Sequence, residues 1–169
     1  MMEYNIINSH KIHSFCSMEK KDLSEANAKR TVGVDLTDEL LASTWIKIKD
    51  DNDPTVFVLV TFQNSKVTFL NAGISVDEMI SSLNDREVYF GVIRVRIDSQ
   101  VKFFTYYICG ASVNGMKKGK ASMAKSCILN YFDISHGELS FNEGIESLTR
   151  TSMLEQIRSI SRQDCVVLP

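Results

Sequence analysis

Three tracts of this chain, Val56–Phe62, Val88–Val95 and Val101–Cys109, are apolar at nearly every position and rich in β-branched and aromatic residues. A strand with one wet face alternates apolar with polar residues. These tracts do not alternate, so they predict strands buried on both faces. A sheet of that kind needs helices above and below it. The turns between strands are legible as well. Asn64-Ser65 returns the chain into a further strand over Lys66–Leu70, and Asp98-Ser99 joins two of the apolar tracts.

The helices that could cover such a sheet follow from apolar spacing. Leu40, Leu41, Thr44, Trp45 and Ile48 recur at helical period, with Thr37 read as the N-cap and Asp38 and Glu39 in the first turn. The run Asp50–Pro54 ends that helix. Ser75-x-x-Glu78 reads as a capping box opening a short helix with Val76, Met79, Ile80 and Leu83 on its inner face. A long helix is predicted from about Asn114 to about Ser135, with Met116, Met123, Cys127, Ile128 and Tyr131 along one side and Gly137 at its C′ position. Glu138–Asn142 reads as a short edge-like strand. A last helix is expected over roughly Leu148–Ile160, with Leu148, Met153, Leu154, Ile157 and Ile160 as its stripe.

These elements predict an α/β sandwich, a central mixed β-sheet of five to six strands flanked by helices on both faces. Residues 1–33 are polar and weakly patterned, with one weak helix expected near Glu19–Lys29, and read as a flexible extension. The domain proper is expected over 34–160, and the tail 161–169 is expected to be loose.

Composition narrows the function classes. The chain has 169 residues, 44% hydrophobic and 24% charged, and a net charge of -2, which argues against a general nucleic-acid binder. No apolar run approaches the ~18 residues of a membrane span. Cys16, Cys109, Cys127 and Cys165 form no C-x-x-C pair, and Cys109 and Cys127 sit in apolar segments, a pattern that fits a reducing compartment. A cytoplasmic location is the expectation.

Candidates for catalysis fail in detail. Gly115-Met-Lys-Lys-Gly119-Lys120-Ala121 is one residue short between its glycines for a phosphate loop and has Ala121 where the hydroxyl residue should stand. His10, His13 and Cys16 share a spacing that suits zinc, but no fourth ligand accompanies them. No Ser, Cys or Thr lies in a nucleophile motif, and the carboxylates at Asp50-Asp51 read as a solvated turn. The expectation is a protein that is not an enzyme, with no cofactor and no metal.

The basic cluster is more informative. Lys117, Lys118, Lys120 and Lys125 lie on the first half of the long helix, and residues 111–132 contain no Asp or Glu. At 100° per residue these lysines span an arc of roughly 160°. Cations near a helix N-terminus are disfavoured by the dipole, so their retention suggests an acidic partner, the alternative being a solvated face that happens to be basic.

The order of elements and several residues resemble the coactosin-like proteins of the actin-depolymerising-factor homology (ADF/cofilin-like) group, over about Val34–Ile160. The resemblance rests on Lys49-Asp50-Asp51 followed by the VFVLVTF strand, and on Leu70-Asn71-Ala72-Gly73 as the family's Gly loop. It rests also on Val92-Ile93-Arg94, and on Lys102-Phe103 with Ile108-Cys109-Gly110, where Tyr107 takes the place of a Trp. Val113-Asn114-Gly115-Met116 followed by Lys120 and Lys125 completes it. The resemblance implies an actin-binding protein that prefers filaments over monomers and modulates their dynamics. It implies contacts from Met116, Lys117, Lys118, Lys120 and Lys125 on the long helix and from Lys102 and Arg96 on a hairpin. A monomer associated with the cytoskeleton is expected, with actin as partner and no nucleic acid or membrane. The family's hairpin is longer and carries a Lys-Arg pair, whereas here it is only Ile97–Val101. This motivates an alternative, a scaffold of the same fold with weakened actin binding that serves another protein.

Overall fold

The computed structural model describes residues 33–164 and 166–169. The weak helix expected near Glu19–Lys29, the flexible extension, and the His10, His13 and Cys16 group lie outside the described residues, as does Cys165. Along the unit Val34–Pro169 the elements are α1 (Glu39–Lys49), β1 (Phe57–Gln63), β2 (Lys66–Gly73), α2 (Val76–Ser81), β3 (Val88–Ile97), β4 (Gln100–Cys109), α3 (Gly115–Asn130), β5 (Glu138–Phe141), a 3-10 turn (Ile145–Ser147), α4 (Arg150–Ser161) and β6 (Val166–Val167).

Among the described residues the strands make one six-stranded sheet in the order β2-β1-β3-β4-β5, with β6 beside the far end of β3. All pairings are antiparallel except β4 with β5, so the sheet is mixed as expected. Alternation along β3 and β4 feeds two separate cores. Val88, Phe90, Val92, Phe103, Tyr107 and Cys109 pack with Leu41, Trp45 and Ile48 of α1 and with Ala121, Ala124 and Ile128 of α3. Tyr89, Ile93, Val95, Phe104, Tyr106 and Ile108 pack with Val76 and Met79 of α2 and with Met153 and Ile157 of α4. The tracts that do not alternate in the sequence are therefore strands with both faces buried.

The two tight turns have backbones that only a few residue types tolerate. Asn64 and Ser65 have φ of 50° and 64°, and Asp98 and Ser99 have 48° and 68°. Positive φ at both central residues is the geometry of a two-residue hairpin turn whose twist matches the strands. In the centre of the sheet, Gly91 leaves room for the Tyr106 hydroxyl to donate to the Val58 carbonyl at 2.6 Å. A Cβ on Gly91 would stand 1.9 Å from that carbonyl oxygen and 2.5 Å from the hydroxyl.

Several local expectations are corrected. The N-cap of α1 is Asp38, not Thr37, whose N–H and hydroxyl both donate to Asp35. The Asp38 carboxylate accepts N–H from Phe69 of β2 as well as from Leu40 and Leu41, and these bonds hold it below the usual carboxylate range. Leu70-Asn71-Ala72-Gly73 is not a loop but the second half of β2, continued past a bulge in the pairing at Leu59/Val60. In the short helix Ser75 caps Glu78, but the Glu78 carboxylate returns to the N–H of Ile74 rather than Ser75, so the box is displaced by one residue.

The long helix ends at Asn130 rather than near Ser135, and Gly137 is not its C′ residue. Gly137 instead precedes β5, where a Cβ would meet Ile160 and Phe104. The tail expected to be loose is docked. Val166 and Val167 pair with Ile97 and Arg96 of β3, and Arg150 donates to the carbonyls of Leu168 and Pro169. A strand as short as Val166–Val167 carries too little pattern to be read from the sequence, because its partner is supplied by another part of the chain.

Replacing Tyr106 with Phe removes a buried hydrogen bond to the Val58 carbonyl, at a cost of about 0.5–1.5 kcal/mol. Urea denaturation at neutral pH should show a lower midpoint at unchanged slope. Gly91→Ala should lose more than Tyr106→Phe, because it overlaps backbone.

Candidate functional site

Strand β4 ends at Cys109, and α3 begins only six residues later at Gly115. The intervening turn is wired to the start of β3. The Asp85 carboxylate accepts N–H from Ala111 at 2.7 Å and from Ser112 at 3.1 Å, the Ser112 hydroxyl at 2.8 Å, and a longer N–H from Ile145. These donors, the Ser112 hydroxyl foremost and then the Ala111 amide, hold Asp85 below the usual carboxylate range. Gly110 packs so closely on the Asp85 backbone that a Cβ would lie 2.0 Å from its carbonyl oxygen. The first turn of α3 is then closed by Asn114, whose side chain accepts the Lys117 N–H at 2.8 Å.

Helix α3 lies on the sheet through Ala121, Ala124, Ile128 and Leu129. The two alanines let it sit close over the large rings of the sheet, Phe90, Phe103 and Tyr107. Its far end is held to α1, where the Trp45 indole N–H donates to Asp133 at 3.1 Å and the Trp45 ring meets Phe103 and Phe132 edge-on. The stripe expected along one side of the helix is split by this packing. Ile128 faces the sheet, whereas Met116 and Met123 are 74% and 88% exposed.

Helical geometry puts Met116, Lys120 and Met123 on one outward line, with Met116 and Met123 about 10 Å apart along the axis. Lys118 lies about 160° round the helix from Lys120, on the opposite flank; both are exposed, and neither makes an ion pair with another described residue. The other two lysines of the cluster are committed. Lys117 pairs with Glu87, which precedes β3, and its side chain is 21% exposed. Lys125 pairs with Glu138 at the start of β5, and its ammonium lies 4.8 Å over the Tyr107 ring. Burial foremost, with a smaller contribution from Cys109, pushes the Tyr107 phenol up to about 12, so the ring facing Lys125 is the neutral phenol.

The hairpin residues sit elsewhere. Lys102 lies seven positions before Cys109 along β4, roughly 23 Å of extended strand from where the turn to α3 begins. Arg96 pairs with Val101, and Lys102 with Val95, so the two basic residues occupy adjacent positions and stand on opposite faces of the sheet. Arg96 is exposed and Lys102 half-buried. On α3, Met116, Lys120 and Met123 share one face and Lys118 stands on the other flank. Arg96 and Lys102 join neither.

Glu87, Glu138 and Asp85 carry no sequence signal for these roles. Each is brought to α3 by strand order, from 26 residues or more away in the case of Asp85 and 30 in the case of Glu87. The absence of acids within residues 111–132 is real, but the acids come from β-strand ends. Among the described residues, no group of His, Cys, Asp and Glu is arranged to hold a metal ion, and no helix is long and apolar enough to cross a membrane.

Comparison with known proteins places this geometry in context. The family model of the cofilin/tropomyosin-type actin-binding protein matches residues 33–158. Among solved structures, coactosin from Entamoeba histolytica superposes with a TM-score of 0.65 at 21% identity, covering 77% of this chain and 98% of that one. Human coactosin-like protein gives a TM-score of 0.66 at 15% identity over 75% of this chain and 98% of that one. Mouse coactosin, described as an actin filament binding protein, gives 0.60 at 13% identity over 76% and 92%. Identities this low show a shared fold. No curated protein matches the chain.

The depressed acidity of Asp85 predicts a pH signature. A carboxylate held below its unfolded value stabilises the fold above that value, near pH 4, and the contribution is lost as pH falls through the lower folded value. Thermal unfolding should therefore show Asp85→Asn less stable than the parent at pH 7, with the gap closing below about pH 4.

Proposed function

This chain belongs to the cofilin/tropomyosin-type actin-binding proteins, and we propose that it binds actin filaments through the outward surface of α3 and so modulates their dynamics. The observation that carries the reading is the exposed ridge of Met116, Lys120 and Met123 on a helix without acidic residues, with Lys118 exposed on the helix's other flank. Exposed methionines are adaptable apolar anchors. Unpaired lysines around them suit an acidic protein surface and give steering and salt sensitivity.

Each of the predicted residues has a part in this reading. Met116 is the apolar anchor at the helix start. Lys118 and Lys120 meet acidic groups directly, each exposed pair being worth about 0.2–1 kcal/mol. Lys117 and Lys125 lie farther round the helix, each already paired with a glutamate. Arg96 and Lys102, at the other end of the sheet, contribute a separate filament contact. The proposed protein is a cytoplasmic, cytoskeleton-associated monomer that acts by binding, with no catalytic step, cofactor, nucleic acid or membrane involved.

A second reading, a scaffold of this fold with weakened actin binding that serves another protein, draws on the shortness of the hairpin. Ile97 and Gln100 are joined by only Asp98 and Ser99, and the two basic residues of the hairpin diverge to opposite faces.

Co-sedimentation with actin filaments at low and moderate salt distinguishes the two. The first reading expects the protein in the pellet, more weakly as salt rises. Lys118→Ala/Lys120→Ala should weaken binding by about three- to thirty-fold at low salt, and Met116→Ala should weaken it as well. A protein that stays in the supernatant at both salt concentrations rejects the first reading. Undiminished binding by the double lysine variant moves the site off α3.

A further inference from the structure

The lysines of α3 are not equivalent, and the difference lies in two glutamates from outside the helix. Glu87 holds Lys117 and is itself tethered on the sheet, where it accepts the Thr61 hydroxyl at 3.4 Å. Glu138 holds Lys125 from the edge strand β5, and the ammonium also lies 4.8 Å over the Tyr107 ring. The Lys117 and Lys125 side chains are 21% and 27% exposed, so both are drawn down against the body of the domain. Lys118 and Lys120 stand in solvent.

We propose that Glu87 and Glu138 are intramolecular competitors for the acidic partner of α3, masking Lys117 and Lys125 and so setting both the strength and the salt dependence of binding. The proposal rests on the reading of α3 as a docking surface. A carboxylate of the partner that approaches Lys125 must displace Glu138, which leaves one ion pair in exchange for another and little net gain. The same holds for Lys117 and Glu87. A carboxylate approaching Lys118 or Lys120 displaces only water and counterions. The helix thus presents the charge of two lysines rather than four.

The masking can be read without any partner. Limited acylation of the free full-length chain with a hydroxysuccinimide ester, followed by peptide mass spectrometry, should modify Lys118 and Lys120 several-fold faster than Lys117 and Lys125. Glu87→Gln should raise the rate at Lys117 alone, and Glu138→Gln the rate at Lys125 alone. Filament co-sedimentation then tests the consequence. Each Glu→Gln change should tighten binding about two- to five-fold at low salt and steepen its fall with salt. Glu138→Asp, which keeps the charge, should bind as the parent does. Adding Lys125→Ala to Glu138→Gln should abolish the gain.

Equal labelling of all four lysines in the parent overturns the proposal, as does Glu138→Gln binding with unchanged affinity and salt slope. If the parent does not bind filaments, the functional reading fails, and the labelling result still decides whether the lysines are masked. Testing the two glutamates separately keeps the question open to decision should one variant fold poorly.

Discussion

The central sheet is buried on both faces, and this constraint shapes the rest of the molecule. Strands β1, β3 and β4 contribute side chains to two cores at once, so no position along them is free to carry an unmatched polar group. Within this sheet the Tyr106 hydroxyl adds a hydrogen bond to the Val58 carbonyl from two strands away. That bond passes over β3 at the position of Gly91, where a side chain would overlap both groups. The same logic holds at the rim. Arg94 turns its guanidinium to the carbonyls of Ile48, Asp50 and Asp53, closing the end of α1 and the loop that follows it.

A sheet so enclosed leaves its helices to present function, and α3 is placed by contacts at both ends. Asp85 and Asn114 define its start, and Trp45 with Asp133 holds the region just beyond its end. Alanines on the inner face bring the helix near the rings of β3 and β4. The methionines that the helical period groups together are consequently left on the outer line. An apolar ridge exposed to this degree on a well-packed helix is a feature of interaction surfaces rather than of cores.

Much of the fold was legible because its signals are local. Apolar runs without alternation identified β1, β3 and β4, the paired turn residues marked both hairpins, and the spacing of Leu41, Trp45 and Ile48 identified α1. The errors share a cause. Thr37 and Asp38 are both good caps, and the choice between them was made by Phe69, a residue of another strand whose amide also needed an acceptor. Gly137 looked like a helix terminator, yet close packing against Ile160 and Phe104 accounts for it. The docked tail was invisible because two residues carry too little pattern to reveal a strand whose partner lies on β3.

The same division runs through the candidate site. The sequence by itself determined the sandwich of helices and mixed sheet, the lysine-bearing helix after an apolar strand, and the absence of acids along that helix. Those follow from periodicity and composition, which act over a few residues. Only the tertiary structure decided which face of α3 turns outward and which of its lysines are already paired. Helix period groups residues on a side without saying which side is buried, and Coulomb interactions depend on distance in space rather than along the chain. Strand order brought Glu87 and Glu138 to Lys117 and Lys125, and so reduced a cluster of four like charges to two exposed lysines, Lys120 in the methionine ridge and Lys118 on the opposite flank.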